Sequence, residues 1–192
     1  FLQFNIETIY SNQFYLSTEG INLSGNISIV CEAYFETFNY NSRIIDFGDS
    51  NDDNFMLNNN IIVGNEENSS NLILQIWNGK TIGCTYRVNN FWLEKGWVHM
   101  AIVINNSQYF IYRNGVQVTG SIVTGSMMSV NNVTLPTCYI GKSNRETDQH
   151  FSGYLEELRI YKKALTGGEI YQLYTKKYAR HRRFSFKLYS LN

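Results

Sequence analysis

Proline is nearly absent, with one in 192 residues, which excludes collagen-like and proline-rich recognition sequences. No run of about 18 uncharged apolar residues occurs, so no helix long enough to cross a bilayer is encoded. The opening Phe1-Leu2-Gln3-Phe4-Asn5 has neither a basic start nor a continuous apolar run, so no signal peptide reads there. Phe at position 1 leads us to expect a mature chain or one cut from something larger. Cysteine is scarce and odd in number. Cys31, Cys84 and Cys138 show neither paired zinc spacing nor a disulfide framework. Cys31 alternates in phase with Ile27, Ile29, Ala33 and Phe35 and reads as a small core residue. One Cys84–Cys138 bridge stays open for an oxidising compartment.

Charged residues make up 17% of the chain and apolar ones 43%, which excludes a disordered polymer; the 15% aromatic content points to packed sheets. The length fits one domain with a sizeable core, with or without an appendage. The net charge of zero hides a division. Residues 1–158 carry seven Lys or Arg against fifteen Asp or Glu, or −8, while residues 159–192 carry nine against Glu169 alone, or +8. An acidic body repels nucleic acid, so nucleic acid is not an expected partner of the body. The basic tail suits a polyanion, a neighbouring copy or the body itself.

Asparagine is abundant, at 24 residues, and creates sequons at Asn22, Asn26, Asn68, Asn105 and Asn132. They are glycosylation candidates in a secreted chain and otherwise a by-product of composition.

Period-two alternation recurs along the chain and is interrupted every eight to twelve residues by Asn, Gly, Asp or Ser clusters, the spacing of a sandwich or barrel. Asn78-Gly79 predicts a two-residue hairpin turn between 72–77 and 80–87. Asn114-Gly115 predicts another, setting Arg113 opposite Val116 and Ile111 opposite Val118. Residues 97–104 are apolar on both faces and predict a central, covered strand. Thr166-Gly167-Gly168-Glu169 is a capping box, followed at helical spacing by Ile170, Leu173, Tyr174 and Tyr178. Phe184, Phe186 and Leu188 alternate with Ser185, Lys187 and Tyr189 and suggest a final strand.

Three segments in order resemble the laminin-G-like, or concanavalin-A-like, jelly-roll family. They are Trp97-x-His99-x-Ala101 leading to Tyr112-Arg113-Asn114-Gly115, then Tyr139-Ile140-Gly141-Lys142, then Phe151-x-Gly153-x-Leu155-Glu156-Glu157-Leu158-Arg159-Ile160-Tyr161 with Ala164-Leu165-Thr166. The likeness covers residues 1–174 and leaves 175–192 as a basic, aromatic C-terminal arm. It implies an all-β, two-sheet antiparallel jelly-roll sandwich with one short helix near its C-terminus. It also implies an extracellular or surface-exposed setting, a glycan or protein ligand, no catalysis and, in many members, one calcium ion.

Calcium prefers hard oxygen donors, and Asp46, Asp49, Asp52 and Asp53 crowd into nine residues. Asp49, Asn51 and Asp53 stand at the first, third and fifth places of a calcium loop. Asn60 at the twelfth cannot supply a bidentate carboxylate, so an EF-hand is excluded; the plain alternative is a solvated acidic turn. Glu156 alternates with Tyr154, Leu158 and Ile160 and is therefore expected on the apolar face, as a calcium ligand or as a carboxylate bonded to backbone amides. The family usually shows Asp-Glu where this chain has Glu156-Glu157. His99 lacks a nucleophile and an orienting partner, and reads as a packed histidine. Asp46-Phe47-Gly48 has no accompanying kinase signature. Gly141-Lys142-Ser143 lacks a phosphate loop's first glycine, which is Pro136 here. Glu156 and Glu157 point to opposite faces and cannot flank a sugar bond as a glycosidase pair. Trp77, Tyr86, Phe91 and Trp92 are expected at strand ends as rings for sugar stacking, core packing being the alternative.

The expected function is a non-enzymatic binding or adhesion module on a surface or in a larger assembly. The alternative is a structural subunit of a filament, shell or complex, held to other subunits by Lys176, Lys177, Arg180, Arg182, Arg183, Phe184, Phe186, Lys187 and Leu188 of the arm.

Overall fold

The structure, a computed structural model, describes residues 2–3, 16–18, 21–48 and 59–176, with the backbone alone at 2–3, 16–18 and 131–133. Two antiparallel sheets lie face to face. One contains, in spatial order, β1 (Leu2–Gln3), β15 (Gly153–Tyr161), β4 (Ile27–Phe35), β9 (Trp97–Asn105), β10 (Gln108–Arg113) and β11 (Val116–Val118). The other runs β12 (Ser121–Gly125), β8 (Thr81–Val88), β7 (Leu72–Asn78), β6 (Ile61–Asn65), β5 (Arg43–Gly48), β14 (Thr137–Ile140) and β2 (Leu16–Thr18). A short pair, β13 (Val130–Leu135) with β3 (Ile21–Gly25), stands apart from both sheets. This is the expected all-β jelly-roll sandwich, and 167–176 form its helix α1.

Alternation builds the core. Ile27, Ile29, Cys31, Ala33 and Phe35 of β4 and Val98, Met100, Ile102 and Ile104 of β9 face Ile45 and Phe47 of β5, Ile61 and Val63 of β6 and Leu72, Leu74 and Ile76 of β7. β9 lies between β4 and β10 and is buried on its second face too. There Ala101 and Val103 join Val30, Tyr112, Leu165 and Ile170 in a separate cluster beneath α1. Ser28 fixes that cover: its hydroxyl donates to the Lys163 carbonyl at 2.8 Å and accepts from the Leu165 amide at 2.9 Å. The helix starts as its sequence requires. Thr166 Oγ1 accepts from the Glu169 amide at 3.2 Å, and the Glu169 carboxylate accepts from the Thr166 amide at 2.8 Å.

The Asn114-Gly115 hairpin has the expected register, with Arg113 opposite Val116 and Ile111 opposite Val118, and positive φ at both turn residues. The first hairpin turns one residue later than expected. Asn78 pairs with Thr81, so Gly79-Lys80 form the loop, and of the two turn glycine and asparagine only Gly79 has positive φ. A bulge after Ile76 absorbs the shift and keeps Cys84 and Tyr86 in the core. The bridge between Cys84 and Cys138 does not form, and all three cysteines are buried without a disulfide. Cys84 on β8 and Cys138 on β14 are four strand steps apart, roughly 19 Å at the usual strand spacing, whereas a disulfide needs Cα atoms within about 7 Å.

Glu156 is also on a different face from the one its alternation suggests. A bulge between Glu156 and Arg159, with Glu157 at φ 53°, resets the phase of β15. Leu155, Leu158 and Ile160 therefore enter the core, while Tyr154 and Glu156 stand on the outer face. Glu157 pairs with Arg159 at 2.9 Å.

Candidate functional site

The connections 36–42, 66–71, 89–96 and 141–152 meet at one end of the sandwich, because β4, β6, β8 and β14 all finish there. They stand on an aromatic floor. The Phe35 ring lies 5.2 Å from Phe38, 5.0 Å from Trp92 and 4.8 Å from Phe151, and Phe91 lies 4.7 Å from Trp92. Trp92 Nε1 donates to the Gly64 carbonyl at 3.2 Å.

Above the floor the loops are tied in reciprocal pairs. The Tyr40 amide donates to Gln149 Oε1 at 2.7 Å and the Gln149 amide donates to the Tyr40 carbonyl at 2.9 Å. The Asn41 amide donates to the Glu67 carbonyl at 3.0 Å, and the Glu67 amide to Asn41 Oδ1 at 2.8 Å. Buried Asn65 spans the two loops, giving its Nδ2 hydrogens to the carbonyls of Asn39 and Glu67. Asn68 Nδ2 donates to the Phe38 carbonyl at 3.0 Å, and Arg87 pairs with Glu66. Asn41 and Glu67 hold φ near 50°, a region that costs a non-glycine residue energy and persists only where its surroundings enforce it. On this fixed backbone the Tyr40 side chain is 43% exposed, with exposed Glu67, Asn68 and Gln149 on the loops bonded to it or to its neighbours. The rim thus offers an aromatic ring beside hydrogen-bonding groups whose ordering cost is met in the unliganded fold.

Beside the rim, Asp46 is buried on the outer face of β5. Its carboxylate accepts from Asn60 Nδ2 (2.7 Å), the Asn144 amide (2.8 Å), Asn144 Nδ2 (3.0 Å) and the Ser143 hydroxyl (3.0 Å). Ser143 Oγ is also 2.9 Å from Asp148, whose carboxylate pairs with Arg43 at 3.0 Å. Asp46 therefore anchors the 141–152 connection to the sheet. Its oxygens are filled by donors, and it does not fit a calcium ligand. Gly48 completes the arrangement: a Cβ there would overlap the Asn60 amide that reaches Asp46. Asp49, Asp52 and Asp53 lie outside the described residues. Glu156 faces Glu32 across β4, with His99 next in the row. Among the described residues no three His, Cys, Asp or Glu side chains converge as a metal site.

The four strand-end rings take the core-packing alternative, and all are buried. Tyr86 is in the core, edge-on to Tyr109, and its hydroxyl accepts from the Gly120 amide at 3.0 Å. Phe91 and Trp92 are the aromatic floor, and Trp77 packs on Ile62 under the Arg145 guanidinium, 5.2 Å above its ring. Strand-end position failed as a guide because Tyr86 faces the core from within β8 and the connections cover Trp77, Phe91 and Trp92. Tyr40 was missed, although its setting, Asn39-Tyr40-Asn41-Ser42, is a lone ring in a polar turn with no apolar partner at strand spacing. Of the sequons, Asn22 and Asn68 are exposed, Asn26 and Asn105 are half-buried, and the Asn132 side chain lies outside the described residues.

Burial pushes the Cys84 thiol above its ordinary value, against a hydrogen bond with Tyr109 that draws it down. Burial likewise raises the Tyr109 hydroxyl, which holds the Met128 backbone through both its amide and its carbonyl.

Two facing antiparallel sheets with an ordered loop rim define a lectin-like β-sandwich. The chain belongs to the concanavalin A-like lectin/glucanases superfamily, whose model matches residues 10–171. Its fold is similar to the CBM40 of the Ruminococcus gnavus IT-sialidase bound to α2,3-sialyllactose, at a TM-score of 0.62 and 15% identity over 82% of this chain and 97% of that one. It is also similar to domains LG4-5 of the mouse laminin α1 chain, with a TM-score of 0.59 and 15% identity over 83% of this chain and 44% of that one. In sequence it is 27% identical over 111 residues to an α-L-arabinofuranosidase of Bifidobacterium longum, a match covering 52% of this chain and 10% of that protein. The chain spans about a tenth or less of the length of the curated relatives it matches.

Proposed function

We propose that this domain is a non-catalytic glycan-recognition module that works at a surface or outside the cell, with the loop rim as its contact surface. The observation that carries the reading is Tyr40, exposed on a backbone clamped from both sides by Gln149 and by the Asn41–Glu67 pair. A sugar's C–H face stacks on such a ring, and the amides and carboxylate around it bond the hydroxyls. The family and the sialyllactose-bound fold relative support a sugar ligand. A glycan array on the full chain, beside Tyr40→Ala, tests this. Binding to a defined glycan class should weaken by about tenfold or more, the loss of roughly 1.4 kcal/mol or more, with an unchanged melting temperature. A Tyr40→Ala protein that binds like the parent would remove the rim from the reading.

A further inference from the structure

The loop rim has a charge of its own, set by where its cations are spent. Arg43 is buried and paired with Asp148 at 3.0 Å, and Arg87 is paired with Glu66. Lys142 lies over the Tyr139 ring, 4.8 Å from its centroid, and Arg145 lies 5.2 Å over Trp77. Half-buried His150 has a partner as well. The Lys95 amide donates to the Phe35 carbonyl at 2.7 Å, which places this residue at the Phe35–Glu36 junction and next to Glu94. Among the described residues of the four connections, the exposed charges are Glu67, Glu94 and Glu146 against Lys95 alone. The basic arm at 177–192 lies outside the described residues.

Glu67 is the anion tied to the Tyr40 backbone, and every bond it makes to the fold comes from its main chain. Its amide donates to Asn41 Oδ1 at 2.8 Å, and its carbonyl accepts from the Asn41 amide at 3.0 Å and from Asn65 Nδ2 at 2.6 Å. Among the described residues no cation pairs with its carboxylate. Its φ of 50° is one that glycine adopts with less strain. The fold therefore asks nothing of this side chain. Gln149 is divided differently: Oε1 accepts from the Tyr40 amide at 2.7 Å, and the Nε2 hydrogens remain as donors. Tyr40 is thus accompanied by one neutral donor and one anionic acceptor. We propose that the rim selects neutral glycans over acidic ones and that Glu67 sets the preference. Its carboxylate accepts from the hydroxyls of a sugar stacked on Tyr40, and charge-assisted bonds of this kind are about twice as strong as neutral ones. The same carboxylate repels a sialic or uronic acid: two like charges roughly 6 Å apart near a protein surface weaken binding about tenfold. The inference rests on the rim as the contact surface.

The test is an array that prints neutral oligosaccharides beside their sialylated and uronic-acid-bearing counterparts, read with the full chain at low salt. Neutral glycans should give the strongest signals, with each acidic counterpart weaker by about tenfold. Glu67→Gln should melt with the parent, because the loop bonds are main-chain bonds, yet bind neutral glycans more weakly and narrow the gap. Glu67→Lys should turn the preference toward the acidic glycans. A parent that prefers acidic glycans and loses them in Tyr40→Ala overturns the selectivity and leaves the rim reading standing. An array without signal, or binding that survives Tyr40→Ala, overturns both. A Glu67→Lys protein with the parent's ratio of neutral to acidic signal overturns the role of Glu67.

Discussion

At the scale of single residues, the fold depends on a few small groups whose importance comes from what lies against them. Gly48 is the clearest case. Its φ is ordinary, so any residue could adopt its backbone; what it supplies is the space through which Asn60 reaches Asp46. A methyl group there pushes the Asn60 amide off the buried carboxylate and leaves both partners short of a hydrogen bond. Gly48→Ala should lower stability by about 1–3 kcal/mol, measured by urea unfolding at neutral pH. Gly48→Ala unfolding at the parent's midpoint would show that the connection 141–152 can be held without Asp46. The tripeptide Asp46-Phe47-Gly48, dismissed as a kinase signature, thus carries structural information instead: an anchor, a core ring and a gap.

At the scale of elements, legibility followed locality. The Asn114-Gly115 hairpin, the β9 strand and the capping box were readable because each depends on neighbours within about ten residues. The face of Glu156 was not readable. A β-bulge leaves alternation intact on either side and shifts its phase, and Glu157 bears no glycine to mark the positive φ. The rings of Trp77, Phe91 and Trp92 were misplaced for a related reason, since burial by a loop from elsewhere in the chain leaves no periodic trace. Tyr40 was hidden because its exposure depends on loops more than 100 residues apart. The capping box supports a pH prediction. Hydrogen bonds from Lys163 and then from the Thr166 backbone hold the Glu169 carboxyl at about 2, below its ordinary 4.5. A lowered carboxylate stabilises the folded form fully above 4.5, and its contribution is lost as pH falls toward 2. The melting-temperature difference between the parent and Glu169→Gln should therefore be greatest above pH 4.5 and disappear near pH 2. A difference that stays constant across this window would mean that α1 does not depend on the charged form.

At the scale of the whole molecule, the pairing order says how the parts depend on one another. β4 lies between β9 and β15, and β5 lies between β6 and β14. Both early strands thus wait for distant partners: β4 pairs with β9, 63–77 residues on, and with β15, 118–133 residues on, while β5 has β6 nearby and β14 89–95 residues on. A chain ending at residue 152 keeps the hairpins but lacks β15, which supplies Leu155, Leu158 and Ile160 to the core. Such a chain should show no cooperative thermal transition and should bind a hydrophobic dye; a sharp transition would mean that β15 is dispensable.

The same topology sets a timetable for synthesis. While the ribosome is still making the second half of the domain, Ile27, Ile29 and Phe35 have already emerged, with one side of their strand unfilled. Elongation at roughly 5–20 residues per second leaves that edge open for several seconds, long compared with the microseconds in which a hairpin closes. The domain therefore closes only after β15 has left the exit tunnel, and for those seconds the nascent chain is a natural client for chaperones that cover exposed strands.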